Sequence, residues 1–178
     1  MKVWHELYES HRKIALAEHE PKEITRRIQQ LADRKIIPGT SVGKFSKSRN
    51  DRTQTTSWSL DGETGVQLSV GSLQEGRLGI QMTLDKYQRL RQFTITIQGT
   101  KSSDGAEWKM AVHFDVETQA GSGACGHPLL HCHASIESEP NWRVPLPPLR
   151  PEEALAWVMS QLSTEFEPAP WTSLAART

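Results

Sequence analysis

The sequence Leu78-Gly-Ile-Gln-Met-Thr-Leu84 carries an apolar side chain at every second position. The same alternation recurs in Val66–Val70, Phe93–Ile97 and Trp108–Val116. Because successive side chains of a strand point to opposite faces, this period of two predicts strands with one apolar and one polar face. Residue pairs typical of turns stand between these segments, namely Asp61-Gly62, Glu75-Gly76 and Asp104-Gly105. The pattern therefore predicts a meander of antiparallel strands.

Two further strands and three helices complete the predicted fold. A strand within residues 53–60 comes first and Leu129–Glu137 comes last, so residues 53–137 form an antiparallel meander of five to six strands. Apolar residues at helical spacing predict a helical hairpin over residues 1–37 and a C-terminal helix over residues 152–167. We therefore expect an α+β fold in which the hairpin and the C-terminal helix cover one face of the sheet.

The remaining segments connect these elements within one predicted domain, residues 1–178. Residues 38–52 are rich in Ser, Lys, Arg and Gly, which predicts a mobile basic loop. Residues 143–151 contain four prolines and predict a rigid connector in the polyproline II conformation. Pro151 suits the first position of the helix that follows. Residues 168–178 predict a loose tail.

Length and composition exclude several classes of protein. At 178 residues and 20.0 kDa, the chain is long enough to bury a core of its own. Its 36% of hydrophobic and 24% of charged residues exclude a collagen-like or wholly disordered chain. The apolar runs are shorter than a membrane span, and the charged N-terminus lacks the apolar core of a signal peptide. These features predict a cytoplasmic protein without a membrane partner.

Both cysteines are predicted to be free thiols. On an extended strand Cys125 and Cys132 would be roughly 20 Å apart, at about 3.3 Å per residue, which is too far for a disulfide. Cys132 falls on the apolar side of the last predicted strand, which favours a small core residue. A nucleophilic role for Cys125 with His127 lacks an orienting acid.

Charge is distributed unevenly along a chain whose formal net charge is zero. Residues 1–52 carry twelve Lys and Arg against seven Asp and Glu, whereas residues 104–178 carry four against ten. Such a dipolar chain favours anion binding at one end or pairing with another copy, unless both ends are simply solvated. Four basic residues of the predicted loop are candidate contacts to nucleic-acid phosphates, namely Lys44, Lys47, Arg49 and Arg52.

The segment Cys125-Gly-His-Pro-Leu-Leu-His-Cys-His133 holds three of the seven histidines and both cysteines. On a strand, His131 and His133 point to the same face. If this strand pairs with the strand that carries His113, the polar side chains of the two strands become neighbours. The predicted polar cluster consists of His113, Asp115, His131, His133, Ser135 and Glu137.

The cluster leaves three interpretations open. His131 and His133 could bind Zn²⁺ or another divalent metal, with His113, Asp115 or Glu137 as a third ligand. The same two histidines could act without metal as base and acid. They could also be hydrogen-bonded histidines on a solvated sheet face, without any ligand.

The acid–base interpretation would resemble metal-free ribonuclease chemistry. Histidine titrates near neutral pH, and Arg143 or Lys109 could hold a phosphate. No Walker A, Rossmann, kinase, hydrolase-elbow or paired-cysteine zinc-finger motif points to another reaction. The catalytic candidates under this interpretation are His131, His133, His113 and Asp115.

Two motifs follow one another in the last third of the chain, His127-Pro-Leu-Leu-His-Cys-His133 and Arg143-Val-Pro-Leu-Pro-Pro148. Together with the apolar helix after them, they resemble a pattern in small uncharacterised bacterial proteins, which carry His-Pro-x-x-His-x-His and then Arg-x-Pro-x-Pro-Pro. This chain has Ala134-Ser-Ile136 where those proteins carry Phe-Gly-Gly. The resemblance implies a shared C-terminal unit that includes the three histidines and Arg143, and it implies no activity.

Taken together, these features predict a non-enzymatic bacterial interaction protein, a subunit or accessory of a larger assembly that works near nucleic acid. Proline-rich stretches lose little entropy on binding, so the connector is the candidate docking surface. Its candidate contacts are Arg143, Pro145, Pro147 and Pro148. The alternative is a small hydrolase or nuclease that uses His113, His131 and His133 with or without a metal. No cofactor other than a divalent metal such as Zn²⁺ is predicted.

Overall fold

A computed structural model describes residues 2–61, 65–116, 128–133, 143–163 and 166 of the chain. Helices occur at both ends of this part of the chain. They are α1 (Lys2–Leu16), α2 (Pro21–Asp33) and α3 (Pro151–Ser160), with a 3-10 helix over Gly39–Lys44. No helix in these ranges is both long and apolar enough to cross a membrane.

The strands of the described residues form one antiparallel sheet. They are β1 (Phe45–Asn50), β2 (Thr55–Leu60), β3 (Val66–Val70), β4 (Leu73–Asp85), β5 (Leu90–Lys101), β6 (Glu107–Asp115), β7 (Leu130–His133) and β8 (Val144–Pro145). Their order is β1-β2-β4-β5-β6-β7-β8, and β3 pairs with the first half of the long strand β4. The predicted α+β fold with an antiparallel sheet is confirmed, with eight strands instead of five to six.

The apolar face of the sheet forms the core with the helices. One row of directly paired residues crosses four strands, from Met82 through Phe93 and Phe114 to Leu130, and each is about 1% exposed. Burying a side chain of this size stabilises a fold by about 1.5–3 kcal/mol. The helices add buried residues to the same cluster, among them Ile24, Ile28, Leu155 and Val158. The alternation seen in the sequence therefore marks the side of the sheet that the helices cover.

The prediction of a mobile basic loop over residues 38–52 is wrong. Gly39–Lys44 is a 3-10 helix and Phe45–Asn50 is strand β1, which pairs with β2 along its whole length. Five of the six residues of β1 are exposed, so the strand has no buried alternating positions that its sequence could reveal. Main-chain hydrogen bonds hold it in place, and its charged side chains suit a sheet edge.

The predicted turn at Glu75-Gly76 is also wrong, because both residues lie inside β4. The register to β5 shifts there, and Glu75 has a φ of 52°. A Cβ on Gly76 would lie 2.6 Å from the carbonyl oxygen of Leu68, so the close approach of β3 requires glycine. The pair that suggested a turn in the sequence is an irregularity within a continuous strand.

The proline-rich connector is partly a strand. Val144–Pro145 forms β8 and pairs with β7, which corrects the expectation of polyproline II alone at these two residues. Leu146 and Leu149 then turn into the core. Pro151 occupies the first turn of α3 as predicted, but the helix ends at Ser160 and not at residue 167. Leu162 and Phe166 extend the apolar spacing beyond the helix end, which explains the overestimate. The predicted tail 168–178 lies outside the described residues.

A candidate histidine centre

The pairing of β6 with β7 brings three histidines together. His113 and His131 are direct partners across the two strands, and His133 pairs with Ala111 one step further along the same face. The centroid of the His131 ring lies 5.8 Å from that of His113 and 4.9 Å from that of His133, and the His113 and His133 centroids are 5.2 Å apart. The predicted cross-strand neighbourhood of these three side chains is confirmed.

Burial separates this centre from the rest of the polar face. Gln81 and Gln92 of that face are exposed, whereas His131 is 4% and His133 8% exposed. The expectation of a solvated sheet face at His131 and His133 is therefore wrong, while their interpretation as hydrogen-bonded histidines without a ligand stays open. His113 is half-buried.

The predicted carboxylates cannot be placed at the centre. The main chain of Asp115 pairs with Gln92 at the end of β6, and its side chain is outside the described atoms. Glu137, Ser135 and His127 are outside the described residues as well. The predicted roles of Asp115 and Glu137 stay predictions.

The hydrogen bonds of His131 determine where its proton lies. Its Nδ1 is 3.1 Å from the carbonyl oxygen of Pro128, and a carbonyl oxygen can only accept, so Nδ1 carries the hydrogen and donates. In a neutral imidazole the other nitrogen is then unprotonated. The Nε2 of His131 therefore presents a lone pair to its neighbour.

That neighbour is Nε2 of His133, at a distance of 3.1 Å. Because the His131 nitrogen is an acceptor, the contact needs a hydrogen on Nε2 of His133 or a positive ion between the two nitrogens. A ring that donates one N–H to a main-chain carbonyl and directs the other nitrogen at a shared point is the usual arrangement of a metal-binding histidine. The pair is thus chemically equipped to share a proton or a metal ion.

His113 completes the centre from the side of β6. Its Nδ1 lies 3.4 Å from the hydroxyl oxygen of Thr94, the residue directly opposite it on β5. His113 therefore lies between Thr94 on one side and His131 on the other. It is the nearest imidazole to the pair among the described residues.

Another buried histidine, His11, was not among the residues singled out from the sequence. It is fully buried, its Nε2–H donates to the carbonyl oxygen of Leu146 at 2.8 Å, and the N–H of Leu130 donates to its Nδ1 at 3.4 Å. Burial lowers the pKa of His11, although the main-chain acceptors Leu146 and Pro147 oppose the shift. The ring links α1 to β7 and to Leu146, the residue that follows β8. In the sequence, the signal that could have identified His11 is its spacing of four from Ala15, which places both residues on the buried face of α1.

Cys132, between the two histidines in sequence, lies on the opposite face of β7. It is 3% exposed within the core, and burial raises the pKa of its thiol to about 11. A protonated thiol in an apolar setting is neither a nucleophile nor a metal ligand. The prediction that Cys132 is a free thiol of the core is confirmed.

The other predicted contacts are spread over the molecule. Lys47 and Arg49 lie on β1 and line the same cleft, while Lys44 forms an ion pair of 2.8 Å with Asp61 at the other end of β1. Arg52 is exposed in the turn between β1 and β2. Of the predicted docking residues, Arg143 is exposed, Pro145 belongs to β8, and Pro147 and Pro148 are half-buried.

Within the residues that the structure describes, no group of three or more His, Cys, Asp or Glu side chains is arranged to hold a metal ion. The described part of the centre thus supplies the His131–His133 pair and not a complete coordination shell. Comparison of the chain with models of known protein families, with curated proteins and with solved structures gives no match.

Proposed function

We propose that this chain is a non-enzymatic interaction protein that binds one divalent transition-metal ion through His131 and His133. The observation that carries the proposal is the distance of 3.1 Å between the two buried Nε2 atoms. The predictions of a bacterial source, a cytoplasmic location and a place in a larger assembly belong to the same proposal.

The distance between the nitrogens fits a shared ion. Zinc–imidazole bonds are about 2.0–2.1 Å long, so an ion equidistant from two nitrogens 3.1 Å apart would subtend an angle of about 100°. That angle lies between the octahedral and the tetrahedral values. The Nδ1–H bond from His131 to Pro128 holds that ring in the orientation that ligation needs.

Burial favours an ion over a substrate. Acid–base catalysis requires the substrate's reacting atoms to come within hydrogen-bond reach of both imidazoles. Rings that are 4% and 8% exposed leave little surface for a phosphodiester, whereas a metal ion needs only the two nitrogens and a few further donors. The centre is therefore better suited to stabilising a fold or an interface than to turnover.

The further ligands are proposed and not observed. His113 is the nearest described imidazole but is not arranged with the pair to hold an ion. Glu137 is the carboxylate that its position on the predicted strand favours. Water or a partner's side chain would serve equally in the remaining positions.

The test is a titration of metal-free, untagged protein with Zn²⁺ by isothermal calorimetry. We expect one ion per chain for the wild type and no binding for the double variant His131→Gln, His133→Gln. The variant His5→Gln is the matched control, because His5 is an exposed histidine of α1. Unchanged binding in the double variant, or no binding in the wild type, would contradict the proposal.

The hydrolase or nuclease alternative is tested with the same samples. What favours it is the direct contact between two imidazoles, which could pass a proton. Cleavage of labelled RNA or DNA by the wild type that disappears in the double variant and persists in His5→Gln would replace our proposal with the enzymatic one.

The edge of the sheet supports the interaction role. Strand β8 carries Val144, which is 49% exposed beside exposed Arg143. An edge strand offers main-chain donors and acceptors to a partner strand. Size-exclusion chromatography of the wild type and of a Val144→Lys variant checks this role, since a charge on the edge should weaken self-association or complex formation.

A further inference from the structure

We infer that a basic cleft at the end of the sheet opposite Lys44 binds the phosphate backbone of single-stranded nucleic acid. Residues from β1, β2 and the β4–β5 turn line the cleft, which has a volume of about 400 Å³. We call it the basic cleft, and its lining residues are Lys47, Arg49, Gln54, Thr56, Asp85, Lys86 and Gln88. The inference is independent of the histidine centre.

The fold places the cations in a row. Lys47 and Arg49 are two positions apart on β1, so they project from the same face about 7 Å apart. Lys86 follows directly after β4, in the turn next to Thr55 and Thr56 of β2. Cations are thus present on both sides of the cleft. On one side, the spacing of Lys47 and Arg49 along β1 is similar to the spacing of successive phosphates in an extended nucleic-acid strand.

The carboxylates nearby are already engaged. Asp85 accepts hydrogen bonds from the main-chain N–H groups of Tyr87 at 2.8 Å and Arg89 at 3.0 Å, and from Nε of Arg89 at 3.1 Å. Desolvation opposes ionisation of Asp85, but these bonds and the charges of Arg89 and Arg91 lower its pKa below the ordinary value. Its negative charge is therefore matched by its own partners and does not cancel Lys47 or Lys86.

Asp51, the second carboxylate near the cleft, competes even less with a bound phosphate for the cations. Asp51 pairs with Arg49 at 2.7 Å, but the two side chains are 85% and 72% exposed. Exposed pairs contribute about 0–1 kcal/mol, so a phosphate can displace Asp51 from Arg49 at low cost. Among the residues that line the cleft, three cations, Lys47, Arg49 and Lys86, thus stand against one carboxylate, Asp85, which has cationic partners of its own.

The shape of the cleft favours one strand over two. Its volume lies within the range of about 300–1,000 Å³ that is typical of small-ligand pockets, which suits a single nucleotide unit better than the wider body of a duplex. Gln54, Thr56 and Gln88 add neutral donors and acceptors suited to sugar and base. Proteins bind single strands without sequence preference through a basic groove together with aromatic side chains on which bases stack. Tyr87, which is 59% exposed between the lining residues Lys86 and Gln88, is such an aromatic side chain.

The experiment is fluorescence anisotropy with labelled oligodeoxythymidylate over a series of salt concentrations. Each phosphate contact to a single strand contributes about −0.7 to the slope of log K against log salt, so Lys47→Gln, Lys86→Gln should reduce the slope by about 1.4. The same relation gives a loss of affinity of roughly 10- to 30-fold near 0.1 M salt. Both lysines are exposed, so the variant should keep the wild-type melting temperature, which is measured alongside.

The matched control removes the same charge elsewhere. Arg77 and Lys101 lie toward the opposite ends of β4 and β5, and Arg77→Gln, Lys101→Gln should change the affinity by less than about twofold. Equal losses in both double variants, tighter binding of a duplex of the same length, or no binding by the wild type at low salt would each overturn the inference. In the last case the cations of β1 would serve only to protect the sheet edge.

Discussion

His11 contacts strand β7 from α1, whereas the His131–His133 pair belongs to β7 itself, and the two differ in their hydrogen bonds. Both ring nitrogens of His11 form hydrogen bonds with the main chain. Nε2–H donates to the carbonyl oxygen of Leu146, and Nδ1 accepts from the N–H of Leu130. In the pair, Nδ1 of His131 donates to the carbonyl oxygen of Pro128, and the Nε2 atoms of His131 and His133 lie 3.1 Å apart. The first arrangement fixes a neutral ring and joins three segments of the chain. The second leaves a position that a proton or an ion must fill.

The difference teaches how a buried histidine can be classified. Burial is similar at the two places, since His11 is fully buried and His131 and His133 are 4% and 8% exposed. What differs is that His11 directs both ring nitrogens at main-chain groups, whereas His131 and His133 direct their Nε2 atoms at each other. We therefore expect His11 to control stability and the pair to control ion binding, and each prediction below separates these two effects.

The largest effect is expected for His11→Ala. The change leaves a cavity and leaves the N–H of Leu130 and the carbonyl of Leu146 without their partner. Each unsatisfied buried group costs about 1–3 kcal/mol, so we expect the free energy of unfolding to fall by about 3–5 kcal/mol with the cavity included. Urea denaturation measures it. His5→Ala on the exposed side of the same helix should cost less than about 0.5 kcal/mol, and an equal loss there would refute the structural role of His11.

The second effect is stabilisation by metal. Zn²⁺ at a hundred times its dissociation constant should raise the free energy of unfolding of the wild type by about 2.7 kcal/mol, because it binds the folded state. The variant His131→Gln, His133→Gln should show no rise. Thermal unfolding with and without Zn²⁺ provides the measurement. A rise that survives in the double variant would place the ion elsewhere.

The third effect is a pH dependence from a histidine far from the pair. Burial lowers the pKa of His19, its bond to Ile14 opposes the shift and the charge of Arg150 adds to it. The unfolded chain therefore binds a proton more readily, so stability is complete above the ordinary histidine pKa of about 6.5 and falls as pH drops below it. One such ring contributes at most about 1.4 kcal/mol per pH unit.

The variant His19→Gln isolates this contribution. Its free energy of unfolding, measured in urea at intervals between about pH 7.5 and 5.5, should fall less steeply than that of the wild type. An unchanged slope would show that the pKa of His19 does not differ between the folded and the unfolded chain, contrary to what its burial implies.

The smallest effect is expected on the other face of β7. Cys132→Ala removes a buried sulfur atom and should cost about 1 kcal/mol of stability, comparable with the loss of a methylene group. Zn²⁺ binding should be unchanged, because Cys132 belongs to the core and not to the histidine face. Loss of the ion in this variant would mean that β7 itself, and not its two imidazoles, determines binding.

Side-chain periodicity explains why the central strands could be predicted and the edge strands could not. Strands β4, β5 and β6 bury one face, and burial leaves an alternation in the sequence. Strands β1 and β8 are held mainly by main-chain hydrogen bonds, so Ser46, Ser48 and Arg49 carry no such pattern. Almost every residue can form main-chain hydrogen bonds, so strands that are held by these bonds alone leave no pattern of residue types from which they could be predicted.

The sequence allowed the position of the candidate site to be predicted, but not the burial of its histidines. Strand phase and the pairing of consecutive strands placed His113, His131 and His133 together. Whether that face meets water depends on the whole molecule, and no local pattern carries that information. His11 was missed because its partners are 119 and 135 residues away in the chain.

The most direct test is the protonation state of the imidazole nitrogens, measured by ¹⁵N NMR near pH 7.5 before and after one equivalent of Zn²⁺. We predict the Nδ1–H tautomer for His131, with the Nε2 signals of His131 and His133 shifting together when Zn²⁺ is added. The signals of His11 should stay in place with its hydrogen on Nε2. An Nε2–H tautomer for His131 in the metal-free protein, or Nε2 signals of the pair that do not move with Zn²⁺, would contradict the account.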